Sequence, residues 1–434
     1  VGLGRAAGIV LIVWGWTPAL LQPLADEPVL VGYAECFGAR LPLAEFSQQH
    51  PEVAVARRPY ARNAWGHPDD RPYSGDAKGL PDVFPVHVGR FAEDLPELAE
   101  RGLIEPVEEW LRALGLAPED FPPEVREAVS HRGRMWAIPH HVLSDALHLH
   151  RESAARLGLD ANPQSWEALF SLLEQAEAAG VPATFSAAGT LTDLLECMLL
   201  SAGHPPLDLS ALDAWESPAM VSALALLQSP HSTRRLQFRA QNVPLRLAGP
   251  ALAGTGRVES LHASAAYRVI PYPSRLRELD PPATTPAVPA MLEAYAVRAH
   301  RPEARAGILA FLAWLLSDET EWAAFEATNL RNADQPVRLD TVHVPMRASV
   351  RASLDFEYAF RKFPDLSVLQ ANADAARFAR GPAALEHRVM QMAEATMARE
   401  LAGAGPEKWL PALRLSIELL VKNTPVETRA YHAY

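Results

Sequence analysis

The stretch GRMWAIPHHVLSDALHLHRESAARLGLDANPQSWEAL, Gly133–Leu169, decides how the chain is read. "MWAIPHHV" and "ALHLH" are apolar, β-rich runs, and Pro139 marks a kink at the end of the first strand. "RESAARLGL" and "SWEALFSLLEQAEAAG" carry helical spacing instead. In the second helix Ser165 stands where an N-cap belongs and Gly180 where a helix stops. Four of the chain's 15 histidines, His140, His141, His148 and His150, fall within eleven residues of this stretch. Residues two apart on a strand share a face, so His148 and His150 lie on one side and Leu147 and Leu149 on the other. Two imidazoles on one face meet the first requirement of a zinc or copper site. No carboxylate or thiol at a recognisable spacing completes it, and a hydrogen-bonded strand face is the plainer reading.

The same alternation extends outward in both directions. Upstream, "PVLVGYAE", "EVAVARRPY" and "PDVFPV" read as strands. "LPLAEFSQQHP" and "VGRFAEDLPELAERGLIEPVEEWL" read as helices, the latter closed at Gly102 and a proline-marked turn. Downstream, "VPATFSA", "YRVIPYPS" and "EAYAVRAH" are strands, "TLTDLLECMLLSAG" and "SPAMVSALALLQS" are helices, and the last ninety residues are nearly all helix. Strands alternating with helices predict parallel sheets with helices packed on them. Trp110, Trp166, Trp314 and Trp322 sit at helical apolar spacing, which predicts core positions.

At 434 residues the chain exceeds what one ordinary core organises, so at least two domains are expected. A formal charge of −12 with no Lys/Arg-rich run excludes a nucleic-acid partner, which needs a concentrated basic face. Two distant cysteines, Cys36 and Cys197, exclude a cysteine-framed zinc site and leave a single bridge open. The chain carries no GxxxxGK[ST], HExxH or GxSxG pattern, and "GTGRVES" lacks the third glycine of a dinucleotide loop. No enzyme and no cofactor is expected. Residues 1–27 hold Arg5 and then an apolar run from Ala6 to Trp16, too short to span a bilayer, and read as a signal peptide or N-terminal anchor. A periplasmic or extracytoplasmic location is the expectation from that reading.

Four passages, in order, resemble the family-1 extracellular solute-binding proteins of ABC importers, the group of maltodextrin-type receptors. "PDVFPVHVGRFAEDLPELAERGLIEPVEEWL" is similar to that family's strand-helix element. Gly133–Leu169 resembles its "G..YAIP", "LYYN" and "GL..P.TW.EL" passage. "YAVRAHRPEARAGILAFLAWLLSDETEWAAFEAT" resembles the returning strand and helices, and "QPVR" (Gln335–Arg338) a "LPVR"-like segment. The resemblance implies a two-lobed type-II periplasmic-binding fold, α/β, with hinge crossings and a helical C-terminal region. Lobe 1 would comprise 28–141 plus 292–333, and lobe 2 would comprise 142–291 plus 334–434. Crossings are expected near His140–Asp145, Ala290–Tyr295 and Asn332–Arg338.

It further implies a monomeric receptor that captures a small polar solute, a mono- or oligosaccharide, between its lobes and delivers it to ABC permease subunits. Pyranose rings need flat apolar faces, and their hydroxyls need carboxylates, amides and guanidinium groups. At the C-terminal end of the first strand stand Tyr33, Glu35 and Phe37, and after the third strand His87 and Arg90. Trp65 lies in the loop after the second strand. His140, His141 and Asp145 line the first crossing, and Tyr272 and Tyr295 complete the candidate ligand-binding set. "GPALAGTGRVES" has no Trp where relatives carry a "GxW" loop, so the resemblance does not name a particular sugar. Two alternatives stand beside it: a metal or metal-chelate receptor using the His140–His150 cluster, and a degenerate sensor without transport.

Overall fold

The computed structural model describes residues 28–33, 41–57, 80–89, 95–159, 162–205, 212–229, 235–239, 251–257, 266–284, 286–299, 301–329, 344–378, 383–400 and 406–423. The N-terminal segment 1–27, and with it the export reading, lies outside them.

Three strands open the fold: β1 (Val29–Tyr33), β2 (Val53–Arg57) and β3 (Val83–Val88). β1 pairs in parallel with both others, as the strand-helix alternation predicts. A small hairpin comes next, β4 (Ser130–His131) with β5 (Arg134–Met135). The two β-rich runs of the opening stretch are then one 13-residue strand, β6 (Ile138–His150). β7 (Phe185–Ala188), β8 (Leu236–Arg239) and β9 (Ala253–Arg257) form a second parallel group, with β7 central. β10 (Tyr267–Ile270), the ten-residue β11 (Val288–Val297), β12 (Val344–Pro345) and β13 (Ala376–Arg377) complete the set.

The long strands β6 and β11 join the two parallel groups. The sheet runs β2-β1-β3-β11-β6-β9-β7-β8, with β10 and β12 also on β6 and β13 on β11. β11 is antiparallel to β3 along Leu292–Val297 and to β6 along Ala290–Tyr295. β6 in turn meets β9 through Asp145–Leu149 and β10 through Leu147–His150. The parallel expectation therefore holds within each group and fails at the seam, where every pairing of β6 is antiparallel. β3 ends at Gly89, whose φ of +138° suits glycine. A Cβ there would lie 2.9 Å from the Ala290 carbonyl oxygen, so β11 passes too close for any side chain.

Each group has its own hydrophobic core. Tyr33, Phe46, Phe84, Trp110, Phe311 and Phe356 anchor the first. Trp166, Phe170, Phe185, Trp215, Met397 and Trp409 anchor the second. Trp110, Trp166 and Trp314 are buried as their spacing predicts, and Trp322 packs partly buried against the first core. Local signals place the Trp166–Ala178 helix well: Ser165 Oγ accepts from the Ala168 amide at 3.0 Å, and Gly180 takes φ +65°. The helix read from Val88 and closed at Gly102 is Leu95–Glu100, starting later because Val88 belongs to β3, and a second helix, Glu108–Ala113, follows the proline-marked turn. Gly102 adopts φ +63° and ends the first, and Ile104 then bridges to Arg298 before Pro106, so the chain is extended between them.

Candidate functional site

The histidines of the opening stretch divide by position along β6. His150 caps the next helix, Arg151–Arg156: its Nδ1 accepts from the Ser153 amide at 3.3 Å and meets the Ser153 hydroxyl at 2.8 Å. His148 is buried, with Nε2 3.2 Å from the Gly256 carbonyl on β9. Leu147 and Leu149 point the other way into the second core, as the alternation requires. The metal reading of the whole cluster is thereby corrected, because these two rings serve a helix cap and a sheet contact.

His140 and His141 behave differently. Opposite β11 the register shifts between Glu293 and Ala294, so that His141 faces Glu293 while Ala294 faces Pro139. His140 is the extra residue of a β-bulge, and Pro139, which has no amide hydrogen to donate, sits beside it where such a bulge tolerates it. The bulge breaks the two-residue alternation and lets adjacent side chains share a side. The two imidazole rings meet at a tilt of 42° with centroids 3.6 Å apart, and His140 lies 5.0 Å from the Tyr295 ring.

Both imidazoles meet Glu321, on the Asp318–Asn329 helix. His141 Nε2 is 3.4 Å from Glu321 Oε2, and His140 Nε2 is 3.8 Å from Oε1. Arg347, just beyond β12, brings Nε to 3.8 Å of Oε1 and donates through Nη2 to Asp318 and to the Leu316 carbonyl. On the other flank His87 lies 3.3 Å from Glu293, which is fully buried. β3, β11 and β6 thus carry a row of buried polar groups across the seam, continued by Glu321 on its helix and by Arg347 beyond β12. Burial pushes the Glu321 carboxyl above the usual carboxylate range; His140 and Arg347 pull it back, and Asp318 and Asp120 add to the rise.

The remaining candidates have other surroundings. Tyr33 and Tyr295 are fully buried, their hydroxyls 3.2 Å apart, with Tyr33 edge-on to Phe311 in the first core. Tyr272 is buried in the second core, where its hydroxyl accepts from Cys197 Sγ at 3.9 Å and its ring lies near Trp166. Asp145 is half-buried on β6, opposite Arg257 of β9, and its carbonyl accepts from Asn372. Cys197 is a free, buried thiol. Glu35, Phe37, Trp65 and Arg90, like the crossing expected at Asn332–Arg338, lie outside the described residues.

The structure thus links Tyr33, Tyr295, His140 and His141 by direct contacts, with His87 alongside through Glu293, and places Tyr272 in the second core and Asp145 where β6 meets β9. Sequence reasoning missed Glu293, Glu321 and Arg347. A signal existed for Glu321: it occupies the apolar stripe of its own helix, three and four residues before the buried Ala324 and Phe325. Glu293 likewise interrupts a strand whose neighbours are apolar, "MLEAYAV".

The fold is the two-lobed α/β architecture of extracellular solute-binding proteins. The chain superposes on UgpB from Mycobacterium tuberculosis in complex with glycerophosphocholine with a TM-score of 0.66 at 16% identity, covering 92% of this chain and 99% of that one. It superposes on maltose-bound MalE3 from T. maritima with a TM-score of 0.64 at 16% identity, covering 90% and 99%. With the cycloalternan complex of the ABC substrate-binding protein Lmo0181 from Listeria monocytogenes the TM-score is 0.62 at 13% identity, covering 92% and 100%. No protein-family model and no curated protein sequence matches the chain. Among the described residues no helix is long and apolar enough to cross a membrane.

Proposed function

We propose that the chain is an extracytoplasmic solute receptor, not an enzyme, that captures a small polar solute between two lobes and presents it to an ABC permease. One observation carries this reading: two separate cores are strung on the same strands, β6 and β11. Two rigid bodies joined through shared strands are suited to hinge motion, and a ligand that touches both selects the closed form. In this reading the two cores are the lobes, and residues 344–378, expected in lobe 2, go instead with lobe 1, because Met346, Phe356 and Leu366 pack in the first core. The structural neighbours support a hydroxyl-rich solute, since their bound partners are glycerophosphocholine, maltose and cycloalternan.

In this reading the chain acts as a monomer and is exported by residues 1–27. Tyr33, Glu35, Phe37, Trp65, His87, Arg90, His140, His141, Asp145, Tyr272 and Tyr295 remain its candidate contacts. Thermal-shift and tryptophan-fluorescence titration against maltodextrins, cyclic glucans, monosaccharides and glycerophosphodiesters tests it. A saturable shift with one class is expected, because a ligand of the native state stabilises by mass action. No response across all four classes would overturn it.

A further inference from the structure

We propose that His140, His141 and Glu321 form a binding site for one divalent transition-metal cation of the zinc class, at the root of the hinge strand β6. The three side chains each offer one ligand atom, and these atoms all lie within 4.8 Å of one another. Two imidazole nitrogens and one carboxylate oxygen make a donor set that suits zinc and its neighbours. Ligands about 2.0–2.1 Å from a tetrahedral ion lie roughly 3.3–3.4 Å from each other. The contact between His141 Nε2 and Glu321 Oε2 already has that spacing at 3.4 Å, while His140 Nε2 is 3.8 Å from the other carboxylate oxygen, Oε1.

Three further observations separate this cluster from an ordinary buried ion pair. First, Glu321 Oε2 is buried and accepts no hydrogen bond, although it is aimed at His141. A buried carboxylate oxygen in that condition is costly unless something occupies it. Secondly, the β-bulge at His140 turns two consecutive imidazoles to one side, an arrangement a regular strand forbids. Thirdly, the surroundings hold the donors in place: His140 rests against Tyr295, and the Met346 amide donates to the His140 carbonyl at 2.9 Å. Arg347 is the guanidinium beside Glu321, with Nε 3.8 Å from Oε1, and its Nη2 is committed to Asp318 and Leu316, so Asp318 offsets its charge. The fourth position would be filled at the His141 edge, the most exposed of the three side chains at 7%. Such an ion would pin β6 to the Asp318–Asn329 helix, the element that leads into the expected third crossing. It would be resident rather than cargo.

The test uses the full chain, free of any affinity tag and stripped with a chelator. Zn2+ is titrated by calorimetry and Co2+ by visible absorption. One saturable equivalent is expected, with a rise of several degrees in melting temperature and the intense visible bands of four-coordinate cobalt. Glu321→Gln should weaken binding by roughly tenfold or more, judging from the cost of disturbing metal-site partners. Binding that is weak and multiple, or equal in wild type and Glu321→Gln, would overturn the assignment. Should that variant not fold, zinc-edge X-ray absorption on the wild-type chain decides. Two imidazoles with a carboxylate oxygen support the site, and an all-oxygen shell refutes it.

Discussion

Asp82 shows how much one side chain can hold in this molecule. It is 3% exposed, accepts from the Gly32 amide at 2.7 Å, and pairs with Arg298 at 2.9 Å and Arg301 at 2.8 Å. Removing it leaves the buried Gly32 amide without its acceptor and takes one partner from each of two guanidinium groups, Arg298 keeping the Leu80 carbonyl and Arg301 keeping Glu303. Asp82→Ala is expected to cost about 3–5 kcal/mol, the penalty of breaking a buried pair by deleting one partner. The midpoint of urea unfolding reads the loss, and a change below about 1 kcal/mol, the worth of a surface pair, would contradict it. Cys197 gives the opposite kind of prediction. Burial, with Asp145, Glu196 and Asp193 adding, pushes its thiol well above the ordinary range, against the Tyr272 hydroxyl. Only the thiolate is nucleophilic, so in a Cys36→Ser background the native chain should resist alkylation at pH 8 and react once unfolded. Rapid labelling of the native state would show that the thiol is accessible. Histidine roles are only half legible at this scale. The face shared by His148 and His150 comes from strand geometry, whereas the pairing of His140 and His141 depends on a bulge whose partner strand lies about 150 residues downstream.

Elements with local punctuation are readable in the sequence, and those defined by distant partners are not. The Leu191–Ser201 helix carries its own start signal: Thr190 and Asp193 form a capping box, with Thr190 N donating to Asp193 Oδ2 at 2.7 Å. It also has a second cap invisible in sequence, Glu394 of the Ala383–Glu400 helix, which accepts from the Leu191 and Thr192 amides and the Thr192 hydroxyl. A carboxylate at a helix N-terminus satisfies orphan amides and complements the helix dipole. Glu394→Ala should therefore destabilise by about 1.5–3 kcal/mol, the range for hydrogen bonds to a charged group. Ser165→Ala, which removes an ordinary N-cap, should cost only about 1 kcal/mol. Chemical denaturation of both variants checks the ranking, and a reversed order would mean that Glu394 is dispensable. β11 is partly missed for a related reason. Its first residues, Val288–Ala290, sit in the most proline-rich part of the chain, and only pairing with β6 and β13 makes them a strand.

At the scale of the whole molecule, the two cores are distinct in composition yet share their strands. Val142 lies in the first core and Leu147 in the second, five residues apart on β6. If the second core unfolds, the β6 pairings at Asp145–Leu149 go with it, and the antiparallel seam that continues into β11 loses its support. The alternation of strands and helices in the sequence announces two α/β units but not this seam, because antiparallel pairing leaves no local mark on strands already buried on both faces. The physical consequence is cooperativity across the seam. Leu147→Ala should cost about 2–5 kcal/mol and Phe311→Ala about 3–5 kcal/mol, as large-to-small core changes do. Each should lower the same calorimetric transition, although the two side chains belong to different cores. If the lobes behaved as independent domains, each variant would shift one of two peaks and leave the other in place. A single transition moved by both would mean that β6 and β11 transmit stability between the lobes. In the proposed receptor, closure on a solute would then stabilise the far core as well as the near one, through the same strands.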